Sequence, residues 1–157
     1  QGENPLWGDR MQQLVGWTHN PVDIVSFATD EGTTMIMFSM PGVIPYVTNG
    51  KVYQAVTLQP GSYTLVFLGG RIDGNVGVLA YGVVTTQSVL PDITAVSVTP
   101  GVLGYAELSA IPVVAQRIPF TLTAATSVTI GWVYNTTETP HGWTTMYMNG
   151  IELYKDY

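Results

Sequence analysis

Turn-forming dipeptides interrupt this chain so often that long helices have little room between them. Pro41-Gly42, Asn49-Gly50, Pro60-Gly61, Gly69-Gly70, Asp73-Gly74, Pro100-Gly101 and Asn149-Gly150 recur along it. The segments they bound are rich in residues that suit a pleated, half-buried surface. Val and Thr occur twenty times each, with thirteen Phe and Tyr besides. Short strands separated by turns, in a chain of 157 residues, predict one all-β domain large enough to bury a core without staples.

Strands are expected over 24–29 and 33–40 around Asp30-Glu31-Gly32, then over 52–58, 62–68 and 76–84. Gln59-Pro60-Gly61-Ser62 has Pro and Gly where a type II turn requires them. Residues 85–115, broken by Pro91, Pro100-Gly101, Gly104 and Pro112, read as an irregular excursion with one short strand near 94–98. Alternation resumes over 117–123, 127–134, 143–148 and 151–154, the last two joined by Asn149-Gly150 as a hairpin. Residues 1–23 form a lead-in. Within it 9–15 can make a turn or two of helix, with Asp9 as N-cap and Met11, Leu14 and Val15 on one side.

The charge pattern excludes several partners. Only 10% of residues are charged, against about 25% in an average soluble domain. Net charge is −6, and the five cations (Arg10, Lys51, Arg71, Arg117, Lys155) are scattered. No basic cluster exists to neutralise phosphates, so nucleic acid and anionic membrane are poor partners. The absence of Cys removes disulfides, thiolate metal sites and a Cys nucleophile. No apolar run approaches the ~18 residues of a membrane span. No signal peptide heads the sequence, and Gln1 to Asn4 read as the end of a trimmed tether.

Three segments together resemble galactose-binding-like jelly rolls. They are the expected hairpin Val52-Tyr53-Gln54 through Pro60-Gly61-Ser62-Tyr63-Thr64-Leu65, then Val128-Thr129-Ile130-Gly131-Trp132-Val133, then Trp143 with Ile151-Glu152-Leu153. The resemblance covers roughly residues 24–155. It implies a jelly-roll β-sandwich of about nine antiparallel strands, similar to carbohydrate-binding modules and to modules in surface lipoproteins of glycan-foraging gut bacteria. The expected protein is therefore exported, extracellular, cell-surface or periplasmic, and anchored as a bacterial outer-membrane lipoprotein. Its expected partner is a glycan. A fold alone fixes no ligand residue, and none is carried over.

Sugar recognition needs exposed ring faces beside fixed polar groups. The richest loop for this runs from Tyr134 to Trp143 and supplies Asn135, Glu138, His141 and Trp143. The competing reading makes Trp143 the first inward residue of its strand and the rest a solvated loop. Trp17, beside His19 and Asn20, and Tyr46, after Pro45, are further candidates. The competing reading makes Trp17 a plug over the open end of the sandwich. Asn135-Thr136-Thr137 is a glycosylation sequon only in a eukaryotic secretory setting.

His19 and His141 lack the i, i+4 pairing of a zinc site, so no transition metal and no cofactor are expected. Several modules of the resembling fold hold a structural calcium. Asp23, Asp30, Glu31 and Glu152 lie in suitable parts of the chain without forming a spaced ligand cluster, and calcium stays open. No nucleophile elbow, phosphate loop or HExxH motif is present, which argues against an enzyme. The alternative to glycan binding is a structural or adhesive spacer that meets neighbouring domains or a protein partner through an edge strand or an apolar patch.

Overall fold

The computed structural model describes residues 2–4, 8–13, 16–20, 27–30, 34–39, 46–70, 77–109, 114–137 and 144–156. Twelve strands lie among them. The first five are short: β1 (Gly2–Asn4), β2 (Gly8–Gln13), β3 (Thr18–Asn20), β4 (Phe27–Asp30) and β5 (Thr34–Ser39). The remaining seven are β6 (Gly50–Leu58), β7 (Gly61–Gly70), β8 (Val78–Thr85), β9 (Val102–Glu107), β10 (Val114–Leu122), β11 (Thr126–Thr136) and β12 (Thr144–Lys155). They form two antiparallel sheets, one ordered β1-β2-β4-β5-β12-β7-β10 and the other β3-β6-β11-β8-β9. The all-β sandwich expected from the turn spacing is the observed architecture.

Alternation sets the core between the sheets. Leu65 and Phe67 of β7 and Ile118, Phe120 and Leu122 of β10 face inward from one sheet. Val78, Ala80 and Val84 of β8 and Val128, Ile130, Trp132 and Tyr134 of β11 meet them from the other. Desolvation drives the Tyr134 phenol far above the ordinary tyrosine pKa. Gly131 is required where β11 passes β6. A Cβ there would lie 2.0 Å from the Val52 carbonyl oxygen and 2.7 Å from the Tyr53 Cα. That close approach accounts for the glycine set among apolar residues in 128–133.

The structure departs from the sequence expectations in four places. Gly8–Gln13 is a strand instead of a helical turn, paired with β1 and, at Met11, with Ala28 of β4. A one- or two-turn helix is marginal alone, and sheet pairing outweighs its weak propensity. Pro60-Gly61 turns the chain from one sheet into the other, so β6 and β7 are not a hairpin pair. Residues 93–95 form a 3₁₀ turn, and the strand of that region lies later, at β9. Finally, Asn149-Gly150 does not reverse the chain. β12 runs through it with a register shift between Met148 and Gly150 and pairs with β7 on both sides of the shift. The extra residue is absorbed as a bulge.

The excursion between β8 and β9 has a structural role. Leu90, Ile93 and Val96 pack on Val83 and Val133, which point away from the main core, and Tyr53, Tyr81 and Val102 flank them. The five-stranded sheet is thus buried on both faces over part of its area. Thr129 Oγ1 donates to the Gln87 carbonyl at 2.7 Å, and the Thr86 amide donates to the Gly101 carbonyl at 2.9 Å, fastening both ends of the excursion.

Candidate ligand cleft on the five-stranded sheet

Beyond the edge of that excursion the outer face of β8 and β9 is open. The register places Leu79 beside Asn135 of β11, Tyr81 beside Glu107, and Val83 beside Tyr105. Period-two alternation therefore brings Leu79, Tyr81, Tyr105, Glu107 and Asn135 to one surface. Two hollows of about 320 Å³ each flank Leu79. One is lined by Tyr81 and Tyr105 against Ile93, Thr94, Val96 and Ser97 of the excursion. The other is lined by Glu107, Ser109, Asn135 and Thr137 with Gly77 and Val78.

The aromatic part has a defined geometry. Tyr81 and Tyr105 meet edge to face, with centroids 6.1 Å apart and planes at 71°. Tyr105 remains 46% exposed and Leu79 40% exposed. An exposed phenol ring held by an edge contact offers one flat apolar surface without a large loss of rotamer freedom on binding. The polar part is organised too. Ser109 Oγ donates to Glu107 Oε1 at 2.9 Å.

A short relay of amides ties the cleft wall to the sheet. The Asn49 amide donates to Asn135 Oδ1 at 2.7 Å, and Asn49 Oδ1 accepts from the Ile93 amide at 2.8 Å. Asn49 holds a left-handed backbone with φ 55°, which Asn tolerates better than most residues. Lys51 Nζ lies 2.7 Å from Asp92 Oδ1 and fastens the same segment from one residue earlier. With its side-chain oxygen engaged, Asn135 retains an NH₂ group carrying two donors.

The sequence-predicted site residues divide. Asn135 lines the polar hollow. Glu138, His141 and Trp143 lie outside the described residues, as do Asp23 and Glu31. Trp17 is half-buried against the core, its ring centroid 5.4 Å from that of Trp132, which is the packing role weighed for it. Tyr46 is half-buried beside Val47 and lines neither hollow. Glu152 accepts a hydrogen bond from the Tyr154 hydroxyl, and no group of three or more His, Asp or Glu side chains gathers among the described residues.

Tyr81, Tyr105 and Glu107 were missed by sequence reasoning. Tyr105 and Glu107 stand two apart, the spacing of one strand face, but Pro100-Gly101 and Gly104 masked β9 as irregular chain.

These features define an antiparallel β-sandwich with a sheet-face cleft. Among solved structures, a CBM4 carbohydrate-binding module shares 15% identity over 89% of this chain and 86% of its own, with a TM-score of 0.52. The K3 cleaved adhesin domain of Lys-gingipain from Porphyromonas gingivalis shares 16% identity over 89% and 92%, with a TM-score of 0.51. The adhesin domain of Epf from Streptococcus pyogenes shares 11% over 89% and 50%, with a TM-score of 0.52. At these identities the likeness is one of fold. A search of the curated proteins gave no match. A family model described as a domain of unknown function, DUF5013, matches residues 7–131, and the chain belongs to that family.

Proposed function

We propose that this chain is a non-catalytic glycan-binding module of an exported, surface-anchored bacterial protein, and that its ligand lies in the cleft on β8 and β9. The observation that carries the reading is Tyr105, a partly exposed ring held edge-on by Tyr81 in one hollow, with Leu79 joining it to the neighbouring hollow lined by Glu107 and Asn135. Stacking on the apolar face of a pyranose would supply most of the affinity. The carboxylate and the amide NH₂ would orient the hydroxyls, each hydrogen bond adding about 1 kcal/mol net because it replaces one to water.

The cleft lining supports binding over hydrolysis. Glycosidases use two carboxylates roughly 5–10 Å apart across the bond. Glu107 is the one carboxylate that lines either hollow among the described residues. Export fits the sparse charge of the surface and the lack of Cys in a bacterial setting. No helix among the described residues is long and apolar enough to cross a membrane.

An adhesive role is the second reading, favoured by the likeness to two adhesin domains. Titration against plant, host and microbial polysaccharides separates the two. Saturable binding of one glycan, weakened at least tenfold in Tyr105→Ala with the fold intact, supports the module reading. Silence across the panel together with retention on a protein ligand supports adhesion.

A further inference from the structure

A third hollow, of about 260 Å³, lies on the outer face of the seven-stranded sheet, across the sandwich from the tyrosine cleft. Three adjacent strands build it in register. One rung aligns Arg117 of β10, Val66 of β7 and Glu152 of β12; the next aligns Ala115, Leu68 and Gly150. Tyr154 stands on the rung at the other side of Arg117 and Glu152, paired with Thr64. Val66, Leu68 and Ala115 give an apolar floor, and Gly150 leaves its end open, since a Cβ there would meet nothing within 4 Å.

Its polar groups are arranged asymmetrically. The Tyr154 hydroxyl donates to the Glu152 carboxylate, which fixes the ring while leaving it 48% exposed. Arg117 is exposed and pairs with none of the described carboxylates, although the chain carries a net charge of −6. A guanidinium with no carboxylate partner among the described residues, beside a fixed aromatic ring, presents a planar two-donor fork suited to a carboxylate.

We propose that this hollow binds an acidic saccharide, with the sugar carboxylate on Arg117, the pyranose face against Tyr154 and hydroxyls directed to Glu152. Charge does not forbid the arrangement. The backbones of Arg117 and Glu152 are two inter-strand spacings apart, about 9.5 Å. That exceeds the Debye length of about 8 Å at physiological salt, so Glu152 repels a carboxylate on Arg117 only weakly. A neutral sugar could use the ring but would leave the fork on water. The two ligand faces are separate, so the inference stands whether or not the tyrosine cleft holds a glycan.

Digalacturonate and its carboxyl-reduced counterpart are the probes, titrated into ¹⁵N-labelled full chain at physiological salt. The expected result is saturable shifts confined to 115–119 and 150–156. Apparent affinity falls at least tenfold in Arg117→Gln and at least tenfold for the reduced sugar, and Tyr105→Ala changes neither. Tyr154→Ala, a second exposed position, is expected to weaken binding severalfold. The proposal is overturned by an absence of shifts at 10 mM ligand or by full affinity in Arg117→Gln. It is equally overturned by shifts on β8 and β9 that vanish in Tyr105→Ala, which would assign acidic sugars to the other face.

Discussion

The two sheets of this sandwich treat their outer faces differently. On the five-stranded sheet the chain between β8 and β9 folds back, buries Leu90, Ile93 and Val96, and leaves Tyr81 and Tyr105 along its margin. The aromatic pair therefore sits against a wall made by the protein itself. On the seven-stranded sheet the described residues that line the hollow, Leu68 and Tyr154 among them, all belong to β7, β10 and β12. The first face has a cleft whose shape depends on distant hydrogen bonds; the second has a hollow whose shape is set by the side chains of three neighbouring strands. Affinity at the first should answer to packing, and affinity at the second to charge.

The largest effect expected from this contrast is on stability. Leu90→Ala removes a side chain buried under the excursion and should cost about 2–4 kcal/mol, with loss of ligand binding at the tyrosine cleft. Leu68→Ala, at 40% exposure on the other sheet, should fall within about 1 kcal/mol of the parent. Urea denaturation of the pair measures the difference directly, and equal losses would show that the excursion is not a packed wall.

Next comes the relay. Asn49→Gly keeps the positive φ but removes the acceptor for the Ile93 amide. It should cost about 1–2 kcal/mol and reduce affinity in the cleft, whereas Asn49→Asp retains the acceptor and should lose less. Lys51→Gln tests the partly exposed ion pair to Asp92 and should cost at most about 1 kcal/mol, shrinking further in salt.

The smallest effect is spectroscopic. The hydrogen bond to Glu152 raises the Tyr154 pKa by favouring the neutral phenol, which therefore ionises at a higher pH than an unperturbed tyrosine. Difference absorbance at the phenolate band should show one tyrosine whose titration moves down in pH in Glu152→Gln. No movement would break the link between ring and carboxylate on which the second face depends.

How far these features were legible in the sequence follows from the range of the interactions. Period-two alternation is local, so Tyr63, Leu65 and Phe67, or Val128, Ile130 and Trp132, declared both strand and inward face. The sheet assigned to each strand is not local. Pro60-Gly61 specifies a turn of the chain, and only the packing of Val52 against β11 and Phe67 against Gly82 shows that this turn crosses between sheets. Asn149-Gly150 illustrates the same limit. Its dipeptide suits a hairpin, yet uninterrupted pairing of β12 along β7 makes it a bulge.

The site was legible in part for the same reason. Asn135 was singled out from a polar loop and does line a hollow, but the partners that shape it, Glu107 and Asn49, are brought there by β9 and by the turn before β6. Trp17 was singled out for its ring, and the packing of that half-buried ring on Trp132 is a contact between segments distant in sequence. Tyr105 had no local mark beyond its two-residue spacing from Glu107, and the excursion that walls its cleft read as irregular chain.

The most direct test of the glycan-binding reading is calorimetric titration of one panel-selected oligosaccharide into the parent chain and into Tyr105→Ala. The expected result is a one-site isotherm for the parent and at least a tenfold weaker one for the variant, with both proteins melting within a few degrees of each other. Undiminished binding in Tyr105→Ala would contradict the placement of the ligand in the cleft of β8 and β9.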